Sequence, residues 1–245
     1  MTSPCEARLE ILADPEALAH RAADWLLAAA AAKDGDFAVA LSGGSTPRRL
    51  YEHLAGPRYC DAFPWSRTHW FWGDERFVPQ DDTLSNYRMV RLAMLSRAPI
   101  PTANIHAIPT EGVSPEGAAS AYERELRSFY GADRLDPGRP LFDVTLLGLG
   151  PDGHTASLFP GTAALAERDR WVAAIVGIKS EARITLTYPA LESSRHAAFL
   201  VAGEEKRTIL ARLRRGDSDL PAAHLCPTGT LWLFSDVAAA REVGA

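Results

Sequence analysis

Several uninterrupted apolar runs, each too short for a buried helix and each followed by a helical pattern, constrain this chain most. FAVAL (37–41), WVAAIVGI (171–178) and AAFLVA (197–202) carry no polar alternation, and FDVTLLGL (142–149) is strongly apolar apart from Asp143 and Thr145. Strands of this kind are apolar on both faces, which suits a parallel sheet covered by helices on each side. ARLEIL (7–12), THWFW (68–72), RITLTY (183–188) and TLWLF (230–234) read as further strands, and NIHAI (104–108) as a short one. Helical patterns fall between them at 15–32, 47–55, 86–96, 114–130 and 204–214. Asp14 before Pro15 and Ser114 before Pro115 are N-cap signals. The alternation predicts one doubly wound, mainly parallel α/β sheet with helices on both faces, Rossmann-like, filling residues 1–245 as a single domain. Residues 171–188 leave no room for a helix between two strands and predict a small antiparallel departure.

The chain has 245 residues, enough for a core that needs no disulfide or metal staple. Cys5, Cys60 and Cys226 are dispersed and odd in number, which argues against a disulfide framework and a cysteine zinc site and for a reducing cytoplasm. The net charge of −5 gives no general attraction to nucleic acid or anionic lipid, so an anionic ligand must be held by local basic residues. WLLAAAAAK (25–33) reads as part of a mature helix, because acidic and polar residues precede it and no small-residue cleavage pattern follows. No apolar run approaches the ~20 residues that span a bilayer.

Four stretches carry chemistry. SGGSTP (42–47) follows a strand and opens a helix expected to begin at Pro47. Its glycines let the backbone approach a ligand, and the Ser45 and Thr46 hydroxyls sit where a helix N-terminus favours negative charge. It is neither a P-loop, lacking G-K-[ST], nor a nucleophile elbow. An ordinary helix capped by Thr46 is the plainer reading, but the carboxyl end of a parallel strand favours a phosphate cradle at Gly43, Gly44, Ser45 and Thr46.

GDERFVP (73–79) is read as a charged turn in which Arg76 offers a donor fork to phosphate or carboxylate and Asp74 or Glu75 orients it. Arg88, in SNYR (85–88), is a second basic candidate. In VAGEEK (201–206), Lys206 in the first turn of a helix opposes the macrodipole, a placement an anion would offset, although Glu204 and Glu205 also balance it. Arg183 has similar standing.

GLGPDGHTASLFPG (148–161) contains G-x-G-x-x-G, the dinucleotide pattern. Pro160-Gly161 stops any helix after about two turns, and the next strand ends in Lys179 rather than an acid, so the nucleotide reading is set aside. His154 fits a general base better, with Asp152 to orient it and loop N–H groups to meet developing negative charge. A histidine capping a helix from Thr155 is the plainer alternative. The other six histidines lack H-E-x-x-H or paired metal spacing and are read as structural.

Together these stretches, with RITLTYPAL (183–191), resemble the 6-phosphogluconolactonase family over roughly residues 10–235. The resemblance implies a parallel α/β fold and hydrolysis of 6-phosphogluconolactone in the oxidative pentose phosphate pathway, without metal or organic cofactor. It implies a phosphorylated sugar lactone as the small-molecule partner, and a monomer or homodimer is expected. Carried onto this chain, Gly43, Gly44, Ser45 and Thr46 would hold the 6-phosphate with Arg76 and Lys206. Arg183 and Arg88 would be further contacts. His154 would activate water, Asp152 and Asp74 would shape the site, and Arg76 or loop N–H groups would steady the oxyanion. The alternatives are an amino-sugar phosphate deaminase, or a noncatalytic sugar-phosphate-binding protein. The deaminase pattern carries a glutamate five residues after the histidine, where this chain has Phe159. A sensor that kept only the cradle would have lost His154, which is present.

Overall fold

The structure is a computed structural model, and it describes residues 5–241. Its strands are β1 (Arg8–Leu12), β2 (Phe37–Leu41), β3 (Thr68–Trp72), β4 (Asp74–Arg76), β5 (Ile105–His106), β6 (Phe142–Leu147), β7 (Val172–Ile175), β8 (Arg183–Leu186), β9 (Ser194–Val201) and β10 (Thr230–Asp236). The α-helices are α1 (Pro15–Ala31), α2 (Ser45–Leu54), α3 (Asn86–Val90), α4 (Pro115–Tyr130), α5 (Tyr188–Glu192), α6 (Arg207–Arg214) and α7 (Val237–Ala240).

Seven strands form one parallel sheet in the order β1-β10-β9-β6-β2-β3-β5. Every residue of β2 and β6 is buried, and the two polar side chains of β6 are partnered: Asp143 accepts from the Ala38 N–H at 2.8 Å, and Thr145 Oγ1 lies 2.7 Å from Ser194 Oγ. Along β3, alternate side chains enter opposite layers. Trp70 packs on Phe63 and Trp65, whereas Phe71 meets Phe129 of α4. On the other half of the sheet, Trp25 of α1 packs against Trp232 and Phe234 of β10. Asp14 caps α1 by accepting from the Ala17 N–H at 2.8 Å, and Ser114 caps α4 by accepting from Gly117 at 3.1 Å.

From β2 the chain winds outward through β3 to β5, then returns to the far side of β2 with β6 and winds the other way through β9. The loops leaving β2 and β6 therefore part at the switch point, where open α/β sheets form their ligand crevice. The expected antiparallel departure is a second sheet, β4-β8-β7, and it also recruits GDER. Residues 74–76 are a strand, not a turn, because Asp74, Glu75 and Arg76 pair with Thr185, Ile184 and Arg183. The 86–96 helix continues past α3 as a π-helical segment, Arg91–Leu95. No helix among the described residues is long and apolar enough to cross a membrane.

Candidate active site

Beyond the end of β2, the chain turns sharply through Ser42, Gly43 and Gly44. The Tyr51 hydroxyl donates to the Ser42 carbonyl at 2.8 Å and accepts from the Ser42 N–H at 3.0 Å, so α2 clamps its own entry. Burial pushes the Tyr51 phenol well above its ordinary value, which keeps this hydroxyl protonated. Gly44, at φ +105°, is the N-cap of α2, and the helix begins at Ser45 rather than Pro47. Glycine reaches that φ without strain, so Ser45, Thr46 and Pro47 form the first turn and Thr46 is not the cap. The N–H groups of Ser45 and Thr46 have no intrahelical partner and open at the cleft.

Gly43 is packed against Asn86, the first residue of α3. A Cβ on Gly43 would stand 2.0 Å from Asn86 Oδ1, so only glycine fits. Asn86 is fixed in turn: its Nδ2 donates to the Asp74 carbonyl at 2.9 Å, and its backbone N–H donates to Glu75 Oε1 at 2.7 Å.

The two-residue period of β4 divides its charges. Asp74 and Arg76 line the cleft, whereas Glu75 does not. The Glu75 carboxylate accepts the backbone N–H groups of Arg76, Asn86 and Tyr87, each at 2.7 Å, and the Ser85 hydroxyl at 3.2 Å. Burial nonetheless pushes this carboxyl up to about 7. Asp74 accepts from the Ser157 hydroxyl at 2.7 Å, and Arg76 Nη1 donates to the Leu84 carbonyl at 2.5 Å. Arg183 stands opposite Arg76 in the antiparallel register and also lines the cleft. Burial and the neighbouring Arg76 lower the Arg183 guanidinium below its ordinary value, and its buried Nε has no hydrogen-bond partner among the described residues.

The loop after β6 supplies the imidazole. Gly150 donates to the His154 carbonyl at 2.8 Å and Gly153, at φ +80°, donates to the Gly150 carbonyl at 3.0 Å. This tight turn seats the ring directly over Gly150, where a Cβ would lie 2.0 Å from His154 Nδ1. His154 Nδ1 is hydrogen-bonded to Asp152 Oδ1, leaving Nε2 for the cleft. Burial acts to raise the Asp152 carboxyl, but the bonds from His154 outweigh it and hold the group below its ordinary value. The imidazole rests on Phe159 with ring centroids 4.6 Å apart. No helix follows His154: Leu158 N–H donates to the Thr155 carbonyl at 3.0 Å across a turn, and Ala156 carries φ +47°. The helix-capping alternative for His154 is thereby removed.

Lys206 completes the cleft from beyond β9. It lies in a 3₁₀ turn, Glu204–Lys206, and α6 begins only at Arg207. Glu204 pairs with Arg207 rather than balancing the lysine, whose Nζ donates to the Leu149 carbonyl at 2.7 Å.

The cleft has a volume of about 370 Å³. Gly43, Gly44, Ser45, Thr46, Asp74, Arg76, His154, Arg183 and Lys206 all line it. Arg88 does not: in α3 it falls outside the lining, and Asn86 takes the place expected of it. Asp152 reaches the cleft only through His154. Sequence reasoning missed Asn86, Ser157 and Lys179, which also line the cleft. Lys179 Nζ lies 5.0 Å from the centre of the Phe159 ring. Four cationic side chains, Arg76, Lys179, Arg183 and Lys206, thus meet one acid, Asp74, in a chain of net negative charge. Beside a helix N-terminus, this concentrates positive potential where an anion would sit.

The sequence profile described as glucosamine-6-phosphate isomerases/6-phosphogluconolactonase matches residues 13–233. The chain is 43% identical over 243 residues to the 6-phosphogluconolactonase of Nostoc sp. (strain PCC 7120), covering 96% of this chain and 98% of that one. It is 46% identical over 215 residues to the 6-phosphogluconolactonase of Synechocystis sp., covering 85% and 86%. The crystal structure of 6-phosphogluconolactonase from Thermotoga maritima superimposes with a TM-score of 0.77 at 34% identity, over 94% of this chain and all of that one. With a parallel sheet, a switch-point cleft and these matches in agreement, the chain belongs to the glucosamine-6-phosphate isomerase/6-phosphogluconolactonase family.

Proposed function

We propose that this protein is a hydrolase that opens 6-phospho-D-glucono-1,5-lactone to 6-phospho-D-gluconate, the lactonase step of the oxidative pentose phosphate pathway, in the cytoplasm. The observation that carries the reading is the meeting, in one cleft, of His154 backed by Asp152 with a four-cation anion site at the α2 N-terminus. The relatives named 6-phosphogluconolactonase support it.

In this reading the 6-phosphate lies against the first turn of α2, held by Ser45, Thr46, Lys206 and the Arg76–Arg183 pair. That grip, remote from the ester, sets the lactone carbonyl over His154. Asp152 accepts the Nδ1 proton and so fixes the tautomer with a lone pair on Nε2. Nε2 takes a proton from water as the water oxygen bonds to the carbonyl carbon. Cation charge and loop N–H groups meet the oxyanion. The tetrahedral carbon then expels the ring oxygen, which takes the proton back from Nε2, giving the free hydroxyl and the carboxylic acid. Asp74, held by Ser157, keeps the cation cluster in place. Phe159, under the imidazole, offers no acid for the proton transfers that amino-sugar deamination requires.

Purified protein, supplied with lactone made in place by glucose-6-phosphate dehydrogenase, should produce 6-phosphogluconate well above the spontaneous rate. Production equal to the uncatalysed rate would overturn the proposal.

A further inference from the structure

On the side of the molecule where α1 meets α2, three side chains that no part of the reaction uses converge. Glu16 and His20 are one turn apart on α1, and His53 is in the last turn of α2. Glu16 Oε1 lies 2.9 Å from His53 Nε2 and 3.8 Å from His20 Nε2. The two imidazoles face one another with centroids 3.8 Å apart and an interplanar angle of 31°. One potential ligand atom from each residue lies within 4.8 Å of the others, and among the described residues no other group of three has this property.

We propose that Glu16, His20 and His53 form a site for one divalent ion of the zinc type, which clamps α1 to α2. Ligands bonded at about 2.0–2.1 Å in a tetrahedron stand about 3.3 Å apart, and the two separations at Glu16 bracket that value. The surroundings set the ligand atoms. The Tyr59 hydroxyl lies 2.9 Å from Asp24 Oδ1, 3.3 Å from the His20 carbonyl and 3.5 Å from His20 Nδ1. With a metal bound, His20 would carry its proton on Nδ1, facing Tyr59, and offer the Nε2 lone pair to the ion, the outer-shell arrangement that orients metal-binding histidines. Arg49 pairs with the other oxygen, Glu16 Oε2, at 3.5 Å and leaves Oε1 to the imidazoles. Two nitrogens and one carboxylate oxygen, with solvent in the fourth position, suit zinc better than a hard cation. His53 is eight residues from Ser45, about 12 Å along α2, so the clamp is separate from the cleft.

Titrating zinc chloride into metal-free full-length protein at pH 7.5 should show one ion bound per chain by calorimetry. At a hundredfold excess over Kd, it should raise Tm by about 5–10 °C. Cobalt(II) should give the visible absorption of a tetrahedral site. The His20→Ala/His53→Ala protein should lose at least tenfold in zinc affinity and the cobalt band, with lactone hydrolysis unchanged. The single variants His20→Gln and Glu16→Gln provide the same comparison if the double variant folds poorly. Absence of stoichiometric binding to the wild-type protein, or equal affinity in the variants, would overturn the proposal without touching the hydrolase reading.

Discussion

The Lys206 ammonium donates to the carbonyl oxygen of Leu149 at 2.7 Å, joining the turn beyond β9 to the loop that leaves β6. One hydrogen bond thereby fixes the position of a cation relative to His154, five residues beyond Leu149. A lysine free to sample its rotamers would lose entropy on meeting a phosphate; this one is already held.

Replacing Lys206 with alanine should raise KM for the phosphorylated lactone about 10- to 100-fold, the cost of one charged hydrogen bond. Initial rates with 6-phosphogluconolactone and with the unphosphorylated lactone check this. The unphosphorylated compound should be almost unaffected, and an equal loss on both would remove Lys206 from phosphate binding.

The His154→Ala protein should bind substrate normally and turn over about 10²- to 10⁴-fold more slowly. Asp152→Asn should lower kcat by less, through the wrong imidazole tautomer, with KM again unchanged. A KM rise without a kcat loss in either variant would contradict the assigned roles.

A methyl group on Gly150 would occupy the space of the imidazole, 2.0 Å from His154 Nδ1. Gly150→Ala should therefore fold, keep its affinity for inorganic phosphate, and lose kcat by at least 10²-fold because the ring is displaced. The unfolding midpoint, phosphate titration and single-turnover rate separate these effects; full activity would show that the turn tolerates the side chain.

Glu75 predicts a pH dependence of stability. Burial raises its carboxyl to about 7 in the folded protein, from the ordinary value of 4.5. The folded chain thus holds a proton that the unfolded chain has released in this interval. The resulting stabilisation is complete below pH 4.5 and disappears as pH rises through about 7, a change of about 3 kcal/mol. Urea unfolding at pH 5 and pH 8 should show wild type losing about that much relative to Glu75→Gln. Parallel behaviour of the two proteins would mean that the three backbone donors keep Glu75 ionised.

The parallel sheet was legible because strands such as β2 are apolar on both faces and alternate along the chain with helical patterns. The Gly43–Gly44 turn and the histidine loop were legible as cleft elements because glycines, prolines and hydroxyls cluster there at strand ends. Element edges were less so. α2 begins two residues before Pro47 because Gly44 supplies a backbone angle that no sequence period announces. GDER looked like a turn because three consecutive charges rarely pair in a sheet, and its partner β8 lies more than a hundred residues later. Arg88 was chosen for its charge alone, whereas Asn86, placed at the start of α3 against Gly43, is the residue that lines the cleft. Lys179 ends a strand-like run and gave only the sign of its charge. His20 and His53 were read as structural, because they meet Glu16 only through the packing of two helices.

The register of the smaller sheet places Arg76 directly opposite Arg183, and like charges in that position push the strands apart. The Glu181 carboxylate, 3.6 Å from the Arg183 guanidinium, offsets part of that repulsion. In the proposed reading a dianion seated between the two guanidinium groups would turn that repulsion into a shared grip, so binding substrate would also steady the small sheet.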